Sequence, residues 1–438
     1  MIANYYNFSI MCYAIPGKIV EINSRFAVVD YFGEKRNVLN DEQPIKIGDY
    51  VYAQGGILVD KVETKEAIKI LEFWKRQFFE LKKIDRNLSQ KAGKQKIEQN
   101  TLSLFQKINR SQELSNQEAL TLLSLSNRKE LELLYKMANN IRQKNNDNAC
   151  CVHGIIEFSN CCANNCFYCG IRKNLKISRF RMSPEEIINT AQIAVEKYGF
   201  KALVLQSGED PYYTEKILEL IIKKIRAMGV LIFLSIGVRD ASEYESFYKA
   251  GARAILLRFE TSNKKIFKRL RPNTSFEKRI KLIKKLKKIG YLIATGFLIG
   301  LPDETNQDII NNIILTKKLE ADMYSFGPLI PAGGTPLGRQ KTADIDLVLK
   351  TIALTRIIDH EAKILVTTAL ETLGTNAKKR GLLAGANSLM LNVTPSIFRK
   401  KYAIYPGRPD RNKGIEKNIK STVNLLYSIG RAPTDLGI

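Results

Sequence analysis

The feature that most constrains the fold is an alternation that begins near residue 151. Apolar or β-branched runs at 152–158, 202–206, 230–235, 253–257, 292–298, 323–326, 364–367 and 388–392 are separated by stretches of amphipathic helical periodicity. Several of these runs show no polar alternation, as expected of strands covered on both faces. The best marked of the intervening helices opens at Ser183-Pro184-Glu185-Glu186, which supplies an N-cap, a proline at the first helical position and a capping glutamate. Ile187, Ala191, Ala194 and Val195 then recur on one face. Eight strand–helix units in series are what a (β/α)8 barrel of the TIM type needs, so the fold class is α/β, with the barrel over 151–438. In such a barrel the chemistry sits at the C-terminal ends of the strands.

The chain ahead of the barrel reads differently. Residues 19–22, 26–30 and 50–53 are short runs of β-formers punctuated by Gly17, Gly33, Gly48, Gly55 and Gly56. They predict a small OB-like β-barrel domain over 11–83, ending in a helix from Thr64 to about Lys83 that carries Ile68, Leu71, Trp74 and Phe78. Residues 84–100 are polar and read as a linker. Residues 101–150 form a helical lead-in, with a capping box at Ser115 and Glu118 and a second helix over Leu131–Ile141.

Six of the seven cysteines fall between 150 and 169. A disulfide framework spreads its cysteines, whereas tight clustering in a reducing compartment reads as ligation. The sharpest spacing is Cys162-x3-Cys166-x2-Cys169, directly after the first barrel strand. A four-iron cube normally takes four cysteines. Three leave one iron open to the amino and carboxylate groups of a ligand such as S-adenosylmethionine. The rival is a zinc site of these three cysteines with His153, but no second ligand pair accompanies them, and the cluster reading is preferred. Cys150, Cys151 and Cys161 do not fit the spacing and read as buried small hydrophobes.

The net charge of +25 invites a nucleic-acid reading. However, runs such as Lys281–Lys288 place lysines and aliphatics at helical spacing, which is a solvated basic face, and a nucleic-acid partner is not expected. The longest apolar stretch, Tyr291–Leu301, falls short of the about 20 residues that span a membrane. No secretory signal is legible, and the chain reads as cytoplasmic.

Gln206-Ser207-Gly208-Glu209 closes the second strand and Ser235 the third, while Arg258 and Glu260 form a charge pair at the end of the fourth, as a binding clamp would. The cysteine motif followed by a β/α barrel is the pattern of the radical S-adenosylmethionine superfamily. Over about residues 112–410 the chain resembles the HydE family of [FeFe]-hydrogenase maturation enzymes, through GIIEFSNCCANNCFYCGIR, LVLQSGEDPYY, LLRFETSNKKIFKRLRP, GFLIGLPDET, GPLIPAGGTPLG and LMLNVTPSIFRKKYAIYPG. Biotin synthase and methylornithine synthase share the barrel. The resemblance implies one [4Fe-4S] cluster held by Cys162, Cys166 and Cys169, with its fourth iron open to S-adenosyl-L-methionine. It assigns Tyr168, Gln206, Ser207, Glu209, Ser235, Glu260, Arg279, Met323, Tyr402 and Tyr405 to the cofactor. Arg258, Thr367, Thr368 and Met390 are assigned to the reaction. Tyr402 and Tyr405 are read as neighbours on one helical face. The implied substrate is a cysteine-bound iron complex carrying carbon monoxide and cyanide. It would come from HydG and pass to HydF, with a ferredoxin or flavodoxin as electron donor. No cysteine follows the YPG stretch, so a second cluster is not expected.

The segment from Met11-Cys12 through Ile22 resembles the start of HypC, the hydrogenase assembly chaperone, and the likeness continues to about residue 83. By that likeness Cys12 is an iron ligand, while Gln54 stands where the family commonly has His. A HypC-like module on a HydE-like barrel suggests that the module receives the organometallic product, tethered near the barrel mouth by the linker. Two alternatives are weighed: a related radical enzyme of the methylornithine synthase or biotin synthase type, and a carrier dominated by the front module.

Overall fold

The computed structural model describes residues 13–40, 43–90 and 98–437. Five strands, Gly17–Asn23, Phe26–Tyr31, Glu34–Leu39, Tyr50–Gln54 and Ile57–Val62, close into the small front barrel. Its core is built from Ile19, Val29, Val38, Val51 and Leu58, covered by Phe78 and Leu81 of the following helix. The third strand is hidden in the sequence because EKRNVL is mostly polar, and only Arg36 and Val38 turn inward.

That helix runs Thr64–Gln90, beyond Lys83 and into the stretch read as linker. The polar residues there are partners in an interface. Asp85 is buried and accepts from both terminal nitrogens of Arg142, at 2.7 and 2.6 Å, while Arg431 Nε lies 3.2 Å from the same carboxylate. Arg142 belongs to the helix Arg128–Asn146, and Arg431 precedes the final short strand Ala432–Pro433. Asn139 joins the network by donating to Ser89 Oγ and accepting from Arg431. Polar composition alone cannot separate a solvated tether from a buried ionic seam.

From Ala149 the alternation becomes the expected barrel. Its eight parallel strands are Ala149–Ser159, Ala202–Ser207, Leu231–Ser235, Ala254–Leu256, Leu292–Thr295, Met323–Tyr324, Lys363–Val366 and Ser388–Asn392, and the last pairs with the first to close the sheet. The run at 292–298 breaks at Gly296 and resumes as Leu298–Ile299, which pairs with Gly327–Pro328. The capping box at Ser183 opens the helix Pro184–Glu196, and that at Ser115 opens Asn116–Ser124. The lysine-rich segment forms the helix Phe276–Ile289, with Leu282, Ile283 and Leu286 inward.

The front barrel sits on the base of the large one, where the parallel strands begin. The Cβ position of Gly55 lies 3.1 Å from the side chains of Leu231 and Leu292, the first residues of the third and fifth strands. Ile57 and Val59 share an apolar cluster with Ala202, Val204, Phe233, Ala294 and Met323 inside the barrel. Lys201 lies over the Tyr52 ring at 4.3 Å, and Arg226 donates to the Val59 carbonyl. The module is therefore docked at the end opposite the mouth, not tethered over it. Cys12 lies outside the described residues.

Asp85 holds two buried guanidinium groups, so its removal leaves uncompensated charge. Asp85→Ala should lower unfolding free energy by about 3–5 kcal/mol, read from the denaturant midpoint, with Asp85→Asn intermediate. A loss under about 1 kcal/mol, the scale of an exposed ion pair, would mean that the seam is solvated.

Candidate active site

The mouth is organised by the loop that follows the first strand. Ser159 ends the strand, donating to Asp210 Oδ2 at 2.7 Å and accepting from the Cys161 N–H. Asn160 is fully buried and spends its amide on the Ser178 and Lys401 carbonyls, each at 2.9 Å. Arg179 lies inside the loop and donates to the carbonyls of Asn160, Ile171 and Arg172. Ala163 N–H is held by the Glu209 carbonyl, Phe167 N–H by Leu270 and Gly170 N–H by Ile404. The loop is thus fixed from the second strand, the fourth strand–helix unit and the C-terminal segment together. Two glycines make the approach possible: a Cβ on Gly208 would meet the Cys161 oxygen at 2.1 Å, and one on Gly170 the Ala403 oxygen at 2.2 Å.

Cys162, Cys166 and Cys169 line one cavity of about 290 Å³. Burial raises all three thiols; neighbouring thiols add to the rise at Cys162 and at Cys169, which is pushed up to about 12. Arg271 acts the other way on Cys166 and Cys169, and the Asn164 N–H reaches Cys162 Sγ at 3.5 Å. These groups favour thiolates once a cation is present. The three sulfurs do not all lie within 4.8 Å of one another, as ligands around a single ion would. His153 is at the barrel base, in a separate small cavity, so the zinc alternative of three cysteines with His153 does not form. Three thiols that line one cavity without gathering around a single ion suit a multi-iron cluster.

Beside the thiols lies a net of three arginines and two glutamates. Arg271 follows the helix Lys264–Leu270, and Arg279 projects from Phe276–Ile289. Arg271 donates to Tyr168 Oη at 3.1 Å and lies 3.5 Å from Glu209 and 3.8 Å from Glu260. Arg279 reaches Glu209 at 3.4 Å and the Arg258 carbonyl at 3.0 Å, while Arg258 lies 3.4 Å from Glu260. Burial, and then Arg271, lower the pKa of Arg279. Glu260 Oε2 and the Nε atoms of Arg271 and Arg279 have no hydrogen-bond partner. Glu260 is held at φ 71°, a conformation that costs a non-glycine residue and is retained where the surroundings over-determine it. Long ion pairs with unused donors and acceptors suit a zwitterionic ligand carrying both an ammonium and a carboxylate.

The opposite wall is a tighter network. Arg408 donates to Glu157 at 2.7 Å, to Asp410 at 2.9 Å and to the Tyr402 carbonyl at 3.0 Å. Asn392 donates to the other Glu157 oxygen at 2.7 Å, and Gln206 to Tyr402 Oη at 3.2 Å. Burial pushes the Glu157 carboxyl up to about 7 against the pull of Arg408. Thr367, Thr368, Met390, Leu365 and Pro328 complete this side, and Thr367 Oγ1 is buried without a partner.

The structure gathers the sequence-predicted set around this one cavity: Tyr168, Gln206, Ser207, Glu209, Ser235, Arg258, Glu260, Arg279, Thr367, Thr368, Met390, Tyr402 and Tyr405, with the three cysteines. Met323 is the exception. It opens the sixth strand and is therefore deep in the barrel, packed with Val204, Phe233 and Leu365, while Ser325 and Pro328 further along reach the cavity. Tyr402 and Tyr405 do not share a helical face, because the helix Ser396–Arg399 ends before them and both sit in irregular chain. Arg271, Arg408 and Glu157 were not singled out by sequence. The available signal was Glu157, a carboxylate within an otherwise apolar strand, which requires a partner.

Residues 156–314 match the Radical SAM superfamily, 325–426 the Biotin and Thiamin Synthesis associated domain, and 11–74 the HupF/HypC family. The chain is 41% identical over 312 residues to the [FeFe] hydrogenase maturase subunit HydE of Thermotoga maritima, spanning 71% of this chain and 89% of that protein. The chain belongs to the HydE family. It is a radical S-adenosylmethionine enzyme, a family chemistry that uses a [4Fe-4S] cluster and S-adenosylmethionine. This HydE-family chain is also 31% identical to the 3-methylornithine synthase of Methanosarcina acetivorans over 73% of its length and 91% of the relative. A crystal structure of methylornithine synthase superposes with a TM-score of 0.67 at 27% identity, over 75% of this chain and 97% of its own. The front barrel coincides with the HupF/HypC match.

Gly208 gives a direct test of the loop geometry. Gly208→Ala should displace the Cys161–Cys162 backbone at a cost of roughly 1–3 kcal/mol. Bound iron and sulfide after anaerobic reconstitution should fall well below wild type while far-ultraviolet circular dichroism is unchanged. Full iron content in the variant would show that the loop does not need this approach.

Proposed function

We propose that the protein acts in maturation of the [FeFe]-hydrogenase H-cluster, on a cysteine-bound iron complex carrying carbon monoxide and cyanide. The observation that carries this reading is the single cavity that joins three converging thiols and an under-bonded Arg/Glu net to a second polar wall around Arg408 and Thr367. Cys162, Cys166 and Cys169 would hold a [4Fe-4S] cluster, with S-adenosylmethionine bound beside it. When bound and reduced, that pair supplies a 5′-deoxyadenosyl radical.

The chain's own residues bind, orient and exclude water. Glu209, Glu260, Arg271 and Arg279 have the free donors and acceptors for a methionine ammonium and carboxylate, and Tyr168 and Ser235 bound the nucleoside end. Gln206 and Tyr402 join the two walls and fix their separation. Arg258 and Thr367 offer donors to an anionic, metal-bound substrate, and Arg408 holds the wall behind them through Glu157 and Asp410. Met390, Leu365 and Pro328 supply apolar contact that keeps water from a radical. HydG as supplier, HydF as recipient and a ferredoxin or flavodoxin as electron donor complete the reading. The six described cysteines form no disulfide, and no helix among the described residues is long and apolar enough to cross a membrane. We read the front domain as a docked HypC-like module rather than a swinging carrier.

Anaerobically reconstituted protein should form 5′-deoxyadenosine when the HydG-derived iron–cysteine complex and a reductant are added, and Cys166→Ala should abolish it. Turnover with an amino acid but not with the iron complex would move the assignment to the methylornithine synthase type. Thr367→Val should leave unfolding free energy within about 1 kcal/mol of wild type, since no protein hydrogen bond is lost. The same variant should raise the half-saturating substrate concentration several-fold. An unchanged value would remove Thr367 from the substrate site.

A further inference from the structure

A second group of metal-type donors lies at the other end of the barrel. Cys151 and His153 are two residues apart on the first strand and face the same small cavity in the barrel base, under Gly55 of the front barrel. Asp435 comes from the chain's last segment, next to the strand that pairs alongside the first. Ligand atoms of Cys151, His153 and Asp435 all lie within 4.8 Å of one another, and among the described residues no other such group of three is found. The three side chains are 4%, 2% and 1% exposed.

The imidazole and the carboxylate already face one another. His153 Nε2 lies 3.3 Å from Asp435 Oδ2, which also accepts from the Val152 N–H and the Thr434 hydroxyl. His153 Nδ1 is buried with no partner. Nδ1 is not the nitrogen that faces Asp435, so a cation shared by the three side chains binds at Nε2 and replaces the 3.3 Å contact. A neighbouring carboxylate, Asp322, is already engaged by Lys287 and the Ile293 N–H and is not a competing ligand. Lys363 faces the same cavity.

We propose that Cys151, His153 and Asp435 form a binding site for a divalent cation of borderline softness, of the Zn²⁺ class, that ties the first barrel strand to the C-terminal segment beneath the front domain. One sulfur, one imidazole and one carboxylate match that class, whereas Mg²⁺ and Ca²⁺ require oxygen shells. The adjoining cavity lined by Cys151 and His153, about 10 Å³, is the size of one water. Binding exchanges the Cys151 thiol proton for the metal, and the proton leaves to solvent. The site is separate from Cys162, Cys166 and Cys169 and does not depend on the reaction proposed above.

The site is closed, so Zn²⁺ should be supplied during expression. The full chain is then purified without oxygen, its iron–sulfur cluster reconstituted, and passed through gel filtration with a chelator. About one zinc per chain should remain, with a zinc-edge X-ray absorption shell of one sulfur near 2.3 Å and nitrogen or oxygen near 2.0–2.1 Å. Cys151→Ser and His153→Gln should each reduce retained zinc at least tenfold without changing cluster iron. A variant with Cys162, Cys166 and Cys169 all changed to Ala should keep it. Absence of zinc from the wild type, a shell with two or three sulfurs, or equal zinc in the Cys151 and His153 variants would each overturn the proposal. Should those variants fail to fold, the wild-type shell decides.

Discussion

Pairing of Ala149–Ser159 with Ser388–Asn392 turns a run of strands into a vessel, and the other features depend on it. The register sets Ser388 beside Cys151 and Asn392 beside Ile155. Because all eight strands are parallel, this one seam sends every C-terminal end to the same rim. It also returns the chain after residue 392 to the cysteine loop, where Ile404 accepts from Gly170 and Lys401 from Asn160. Each ladder bond is worth only about 1 kcal/mol net. Closure adds that no strand is left as an open edge, so the cysteine loop rests on a frame with little freedom to splay.

The two ends of this vessel obey different physics. The base is apolar and sealed, with Ile57 and Val59 of the front barrel completing the inner core, at about 1.5–3 kcal/mol for each fully buried side chain. The seam of Asp85, Arg142 and Arg431 beside it contributes orientation more than net stability, since buried ion pairs seldom outperform apolar packing. Together they make the front domain part of one body with the barrel. The described residues of the front domain are thereby held at the base, away from the mouth.

Ion-pair lengths separate what supports from what binds. In the supporting networks, Arg142 to Asp85 and Arg408 to Glu157 are 2.6–2.7 Å, with few lone pairs unused. Beside the cysteines the arginine–glutamate separations are 3.4–3.8 Å, and several donors and acceptors are idle. Buried charge that is not saturated by its own protein is costly, and the cost is offset when a charged ligand arrives. Within one molecule, unsaturated charge is thus gathered on the thiol side of the cavity and saturated support around Arg408.

Local chemistry was readable in advance. The eight strand runs, the capping boxes at Ser115 and Ser183 and the three-cysteine spacing are short-range patterns, determined by periodicity and by side chains a few residues apart. The resemblance to a family then supplied most of the cavity wall. Depth and partnership were decided only by the tertiary structure. Met323 and Pro328 are five residues apart, yet one is core and the other lines the site, because distance along a strand is distance along the barrel axis. Asp85 looked like linker until Arg142 and Arg431 met it from 57 and 346 positions away. Glu157 needed Arg408, and Cys151 and His153 needed Asp435. Such pairings depend on which distant segments the closed sheet brings together, and no local pattern carries that information.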